Sequence, residues 1–225
     1  MQLGVNRNSI PSFVRFKFTL LSIIIPTILW AQPDWQLRKD ENGIKVFTKD
    51  VAGYSLKAGK AITTFDAPLE SCVSVLKDVP YLVDLFPNCS EAKPLGVTGD
   101  TLQRHYLRFK APWPVTDRDA AMQYRYSYDA KSKSVRVMAT GLPDIYPRQE
   151  TAIRLIKGYS IWVFTAIGDG KTRLDYEFQS DPGGTIPGWL ANSTVIDTPM
   201  GMLTNFHRLV KLEKHRNKSY AFIRQ

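Results

Sequence analysis

The chain has 225 residues, 44% apolar, 12% aromatic and 23% charged, with 14 Gly and 14 Pro, a globular balance that excludes disordered, collagen-like and coiled-coil classes. Its 30 Lys and Arg against 21 Asp and Glu give a formal charge of +9, so an anionic partner has to be judged by where that charge sits. Part lies in the first 31 residues, which hold no acid, and part in Lys211, Lys214, Arg216, Lys218 and Arg224 against Glu213; the body between is nearly balanced, which excludes a broad nucleic-acid surface.

Arg7, Arg15 and Lys17 precede an apolar stretch over 18–30 that ends at Ala31. A basic, then apolar, then small layout predicts a signal peptide over 1–31 and an exported protein, periplasmic or extracellular, with an uncleaved anchor as the alternative. Ser22, Pro26 and Thr27 interrupt the stretch, which is short for a membrane span. A folded domain over 32–215 and a basic tail over 216–225 then follow. The tail either complements a helix dipole or touches anionic lipid. Export permits a disulfide between Cys72 and Cys89, and buried free thiols are the other reading. Two cysteines at that spacing do not make a zinc site, and no metal or cofactor is expected.

In chain order, GIKVFTKD over 43–50 reads as a strand entered through an Asn-Gly turn, and 54–65 as a second strand region. Asp66 is placed to cap a helix over 68–79 with Pro68 and Glu70 in its first turn and Val73, Leu76 and Val79 as its apolar stripe. A short helix over 81–86 stops at Pro87. From there to Ser180 the pattern is antiparallel sheet. Over 102–110, Arg104, Tyr106, Arg108 and Lys110 alternate with His105, Leu107 and Phe109, giving one solvated face and one inward face. After Pro112-Trp113-Pro114, a strand over 120–128 sets Met122, Tyr124, Tyr126 and Tyr128 on one side. Val135 and Val137 begin another strand that ends at Gly141.

The last hairpin turns at Gly168-Asp169-Gly170. If all three residues form the loop, Phe164 faces Leu174 and Trp162 faces Tyr176, which keeps the apolar face continuous; a two-residue loop would pair Trp162 and Phe164 with the charged side. A long helix closes the domain, with Thr185 as its cap, Pro187 in its first turn and an apolar stripe through Leu190, Val195, Met202, Phe206, Leu209 and Val210. Pro199 inside it is expected to kink or interrupt it. The sum is an α+β domain, a sheet of seven to nine strands with one helix laid across it, enclosing space that suits an apolar ligand.

GIKVFTKD, APWPVTDRDAAM over 111–122 and DPGGTIPGWLANSTV over 181–195 together resemble the START family, the steroidogenic-acute-regulatory-protein-related lipid-transfer domains, over about 35–214. The resemblance implies a helix-grip fold, a curved antiparallel sheet wrapped around a C-terminal helix with an internal hydrophobic tunnel, and loops beside that helix acting as a gate at a membrane surface. It implies a structural role for Arg118 and Asp119 at the turn into the next strand. It also places the family's buried charged positions on His105 and Tyr124, both on the inward faces. A His and a Tyr can hydrogen-bond a hydroxyl or carbonyl without burying a full charge, which suggests a neutral or weakly polar lipid; a satisfied core histidine is the alternative for His105.

The candidate ligand-lining set is His105, Leu107, Phe109, Met122, Tyr124 and Tyr126 from the central strands, with Trp162, Phe164, Tyr176, Met202 and Phe206 from the last hairpin and helix. No G-x-S-x-G elbow or His-Glu-x-x-His is present. The expected function is non-enzymatic binding of a lipid or other hydrophobic molecule for transfer, storage or sensing in the cell envelope, by a monomer that visits a membrane transiently and binds no nucleic acid. A helix-grip enzyme, an aromatase/cyclase or small hydrolase using His105 and Tyr124 as acid and base, is the second reading. The third is an interaction module that uses Trp113 or Trp189 as its contact, against packing of both rings at the ends of the sheet.

Overall fold

The computed structural model describes residue 1 and residues 35–184 and 186–223. The predicted signal peptide, the capping Thr185 and Arg224 lie outside the described residues, apart from residue 1. Ten strands form one sheet: β1 Gln36–Glu41, β2 Ile44–Lys49, β3 Ala58–Phe65, β4 Cys89–Thr98, β5 Leu102–Phe109, β6 Asp117–Asp129, β7 Ser134–Gly141, β8 Ala152–Arg154, β9 Gly158–Gly168 and β10 Lys171–Ser180. Its order is β1-β2-β3-β10-β9-β7-β6-β5-β4, with β8 off the path against β6. The helices are α1 Leu69–Lys77, α2 Leu82–Leu85 and α3 Gly188–Leu209. The fold is the expected helix grip, a large, open antiparallel sheet around the C-terminal helix.

Local chemistry explains the departures. The sheet has ten strands rather than seven to nine because β1, β4 and the three-residue β8 lack a clean alternation; β8 also pairs with β6 in parallel, over Asp117–Asp119. Asp66 does not cap α1. Pro68 is the N-cap, with no side-chain cap bond, and Asp66 stays exposed, 3.7 Å from Lys171. Pro187 is the N-cap of α3 rather than a first-turn residue, and α3 runs unbroken through Pro199 for 22 residues. The missing N–H of Pro199 costs one helical bond, to the Val195 carbonyl, and burial of Pro199 and its neighbours Val195 and Met200 holds the turn.

The last hairpin has the expected register, Phe164 with Leu174 and Trp162 with Tyr176. It is reached differently: Asp169 and Gly170, both at positive φ, make a two-residue turn, and Ile167 is left over as a bulge before Gly168 pairs with Lys171. The continuous apolar face selects the register, and the strand absorbs the odd residue.

At one end of the sheet large side chains fill the volume under α3. Trp162, Phe164, Leu174 and Tyr126 are buried there, Phe206 stacks on Phe65 at 4.5 Å, and Trp162 lies 4.1 Å from Tyr176. The segment 216–223 is not a free basic tail: Phe222 and Ile223 join the core, and the Phe222 ring sits 6.2 Å from Tyr126. Its aromatic and aliphatic residues outweigh its charge. Cys72 is buried and Cys89 half-buried, and both are free thiols.

Candidate functional site

At the other end of the sheet several positions along the wall are small. Ala120 on β6, Gly141 on β7, and Gly158 and Ser160 on β9 leave a cavity of about 300 Å³ between the sheet and the N-terminal half of α3. Its apolar wall comes from Leu107, Phe109, Met122 and Phe178, with Phe86 and Pro87 from the loop after α2. From α3 it takes Leu190, Thr194, Thr198 and Met202, a row at i, i+4 spacing that lies along one helix face. Gly59 on β3 makes room for Phe178: a Cβ at that position would lie 2.3 Å from the ring. Gly201 lets α3 approach Pro87, which a Cβ there would meet at 3.0 Å.

Of the predicted lining set, the structure brings six to the cavity: Leu107, Phe109, Met122, Tyr124, Tyr176 and Met202. The other five do not line it. Tyr126, Trp162, Phe164 and Phe206 belong to the packed end, and His105 is fully buried outside the cavity wall, its ring 4.3 Å from that of the lining residue Tyr124. Alternation assigned their faces correctly; which end of a face is filled depends on side-chain volume across five strands, which alternation does not carry. Sequence reasoning missed Lys110, Lys157, Ser160 and the Thr194–Thr198 row. The last had a signal, since two polar residues break the apolar stripe of α3 between Leu190 and Met202.

Neither ring nitrogen of His105 has a hydrogen-bond partner among the described residues. The core-histidine alternative is therefore not a satisfied one. Burial lowers its pKa to about 3 from the ordinary 6.5. Burial pushes the Tyr124 hydroxyl the other way, well above its usual value. A base held near 3 and an acid held well above 10 are poorly matched to proton transfer near neutrality. The unfolded chain protonates His105 near 6.5 while the folded protein keeps it neutral to about 3, so this residue makes stability fall as pH drops through that window. His105→Phe is expected to flatten the acid limb of a stability-versus-pH curve, measured by denaturant unfolding, and to leave stability at pH 8 equal or higher. An unchanged acid limb would show that other groups set it.

Arg118 and Asp119 diverge as strand neighbours must. Arg118 faces the cavity side, donating to the carbonyls of Thr116 at 2.6 Å and of Pro182 and Gly183 at 3.2 Å each, and so ties the β5–β6 loop to the segment before α3. Asp119 faces away and binds Arg154 through two hydrogen bonds of 2.8 and 3.0 Å. Arg154 also donates to the carbonyls of Pro143, Tyr146 and Pro147. The resulting loop covers Tyr106, which alternation placed on a solvated face and which is 1% exposed, its ring 4.3 Å from Tyr146.

A second constellation sits apart from the cavity. Ser74 Oγ lies 2.8 Å from His215 Nδ1, and Asp78 is 3.7 Å from His215 Nε2. The hydroxyl donates to the Ser71 carbonyl and is buried, so this group staples the segment after α3 to α1.

Trp113, between β5 and β6, is 92% exposed and Trp189, in the first turn of α3, is 59% exposed, which excludes packing at the sheet ends for both. Each adjoins cavity-lining residues, Pro112 in one case and Leu190 in the other. Among the described residues no helix is long and apolar enough to cross a membrane.

No protein-family model matches the chain. It is 33% identical over 170 residues to an uncharacterized protein of Pseudomonas aeruginosa, an alignment covering 76% of this chain and 83% of that one. Among solved structures it is similar to a STAR-related lipid transfer protein of Xanthomonas axonopodis, with 31% identity, a TM-score of 0.73, and coverage of 79% of this chain and 99% of the other. The human StAR-related lipid transfer protein 5 shares the fold at a TM-score of 0.68 and 16% identity, over 79% of this chain and 86% of that one. The ten-stranded sheet gripping α3, the cavity between them, and a 31% identical relative matched over nearly its whole length agree: the chain belongs to the START, or STAR-related lipid transfer, family.

Proposed function

We propose that the protein binds one lipid or other hydrophobic small molecule in the cavity between the sheet and α3, and carries or holds it in the cell envelope rather than transforming it. The observation that carries this reading is the cavity itself, about 300 Å³, walled by Leu107, Phe109, Met122, Phe178 and Met202 in a fold whose opposite end is filled. An apolar volume of that size releases water from apolar surface when a ligand enters it. The compartment rests on the basic and apolar layout of residues 1–31. The test is native mass spectrometry of the protein purified from its own host, followed by solvent extraction. A bound mass of a few hundred daltons that extracts as a lipid is expected; a protein that arrives empty and takes up no lipid from vesicles would overturn the reading.

Loading requires access, and the exposed indoles of Trp113 and Trp189 flank the cavity residues that lead to it. Indole rings favour the membrane–water interface, and burying a large apolar side chain contributes about 1.5–3 kcal/mol. Trp113→Ser and Trp189→Ser are each expected to weaken binding to phospholipid vesicles about tenfold, read by vesicle sedimentation, with the melting temperature unchanged. Equal sedimentation of both variants and the parent would remove these residues from any membrane contact.

A further inference from the structure

Three cations and no carboxylate line the cavity. Lys110 follows β5, Lys157 precedes β9, and Arg118 stands on β6, while no Asp or Glu contributes to the wall among the described residues. Lys110 and Lys157 are exposed and form no ion pair among the described residues, so either can be solvated without a partner. Arg118 differs. It is 9% exposed, faces both this cavity and a second, more open one of about 390 Å³ bounded by Pro114, Val115, Ile153 and Ile186, and has only carbonyls as partners.

Among the described residues, no carboxylate forms an ion pair with it. Asp117 accepts from Arg108 at 2.9 and 3.1 Å, Asp119 accepts from Arg154, and Asp181 accepts the Gly183 N–H at 3.1 Å. Buried cations are ordinarily paired, because carbonyl dipoles offset only part of the lost hydration. A guanidinium has five N–H groups. Three are used on Thr116, Pro182 and Gly183, which leaves one on each terminal nitrogen to donate to a carboxylate or phosphate. The N-terminus of α3 adds positive potential at the same end, since Pro187 provides no side-chain cap and Ile186 and Leu190 belong to the wall.

We propose that Arg118, with Lys110 and Lys157 at the rim, forms an anion site, and that the ligand is an amphiphile with an anionic head, carboxylate or phosphate, whose tail fills the apolar end beside Leu107 and Met202. This rests on the reading of the cavity as the ligand site and deepens it. The neutral lipid suggested by His105 and Tyr124 is revised at its head: His105 does not line the cavity, and the charged side chains that do are Lys110, Arg118 and Lys157.

The test uses a matched twelve-carbon series on the full chain: dodecanoate, dodecyl phosphate, dodecanol and dodecylamine, each below its micelle concentration, measured by displacement of an apolar fluorescent dye. At least one of the two anions is expected to bind ten or more times tighter than dodecanol, with dodecylamine weakest, and their order tells a carboxylate site from a phosphate site. Arg118→Gln is expected to collapse the anion-to-alcohol ratio toward one. Because that change also removes the clamp on Pro182 and Gly183, a second variant, Lys110→Gln with Lys157→Gln on exposed positions, is expected to lower the ratio severalfold and to reduce its salt dependence. Dodecanol binding as well as both anions would overturn the anion site while leaving the cavity reading intact. Failure of all four and of the dye would overturn both.

Discussion

Replacing Asp119 by Ala is expected to lower stability by about 3–5 kcal/mol, because it leaves the Arg154 guanidinium buried without an anion. Arg154 is 5% exposed and Asp119 is fully buried, so water cannot take the missing partner's place without opening the structure. For a domain of this length that corresponds to a melting temperature lower by roughly 6–20 °C. Pairing Asp119→Leu with Arg154→Met is expected to recover part of the loss, since a buried ion pair can be replaced by apolar residues at little cost. Recovery stays incomplete because the Pro143, Tyr146 and Pro147 carbonyls lose the donor that holds their loop over Tyr106. The pair also reaches the site. The Leu155 N–H donates to the Asp119 carbonyl at 2.8 Å, and Leu155 and Lys157 line the cavity just beyond β8. Loosening β8 should therefore weaken ligand binding in the single variant. A drop of under about 1 kcal/mol in denaturant unfolding would show that the loop opens to water around Arg154.

The family and the order of the elements were legible in the sequence because they rest on features that are local in the chain. Alternation through His105, Leu107 and Phe109 and the need to keep Trp162 against Tyr176 fixed faces and register without reference to the rest of the molecule. What alternation cannot carry is depth along a face. Tyr126 and Tyr124 are two residues apart on β6 with the same orientation, yet one packs against the core near Phe222 and the other faces the cavity, because the opposing strands present Val137 and Trp162 in one row and Ala139 and Ser160 in the next. Tyr106 failed for a related reason. Its face is solvated as far as the sheet is concerned, and the loop that covers it is fixed by Arg154, thirty-five residues beyond Asp119. The resemblance gave Arg118 and Asp119 one shared structural role at a turn, and the pleat divides it: the two side chains leave on opposite faces, Arg118 to the carbonyls of Thr116, Pro182 and Gly183 and Asp119 to Arg154.

Enlarging Ala120 is expected to separate cavity binding from surface binding. Ala120 is 3% exposed, pairs with Leu107 across β5 and β6, and is one of the small residues that leave the cavity open. Ala120→Leu and Ala120→Phe place added volume where the ligand tail would lie. Affinity for the extracted ligand is expected to fall at least tenfold, about 1.4 kcal/mol, with the larger side chain giving the larger loss. Thermal stability should hold or rise, because filling an apolar cavity restores contacts that the empty protein lacks. The opposite pattern is expected at the packed end. Phe164→Ala removes a fully buried ring and should destabilise by about 3–5 kcal/mol without changing which ligand is preferred. Titration of the three variants beside a melting curve distinguishes these outcomes. If Ala120→Phe binds as tightly as the parent, the ligand lies outside the sheet–helix cavity, and the exposed surface around Trp113 and Trp189 becomes the site to examine. If it loses binding while keeping its fold, the small residues of β6, β7 and β9 are what make this helix grip a carrier, and the aromatic residues at the other end are what make it stable.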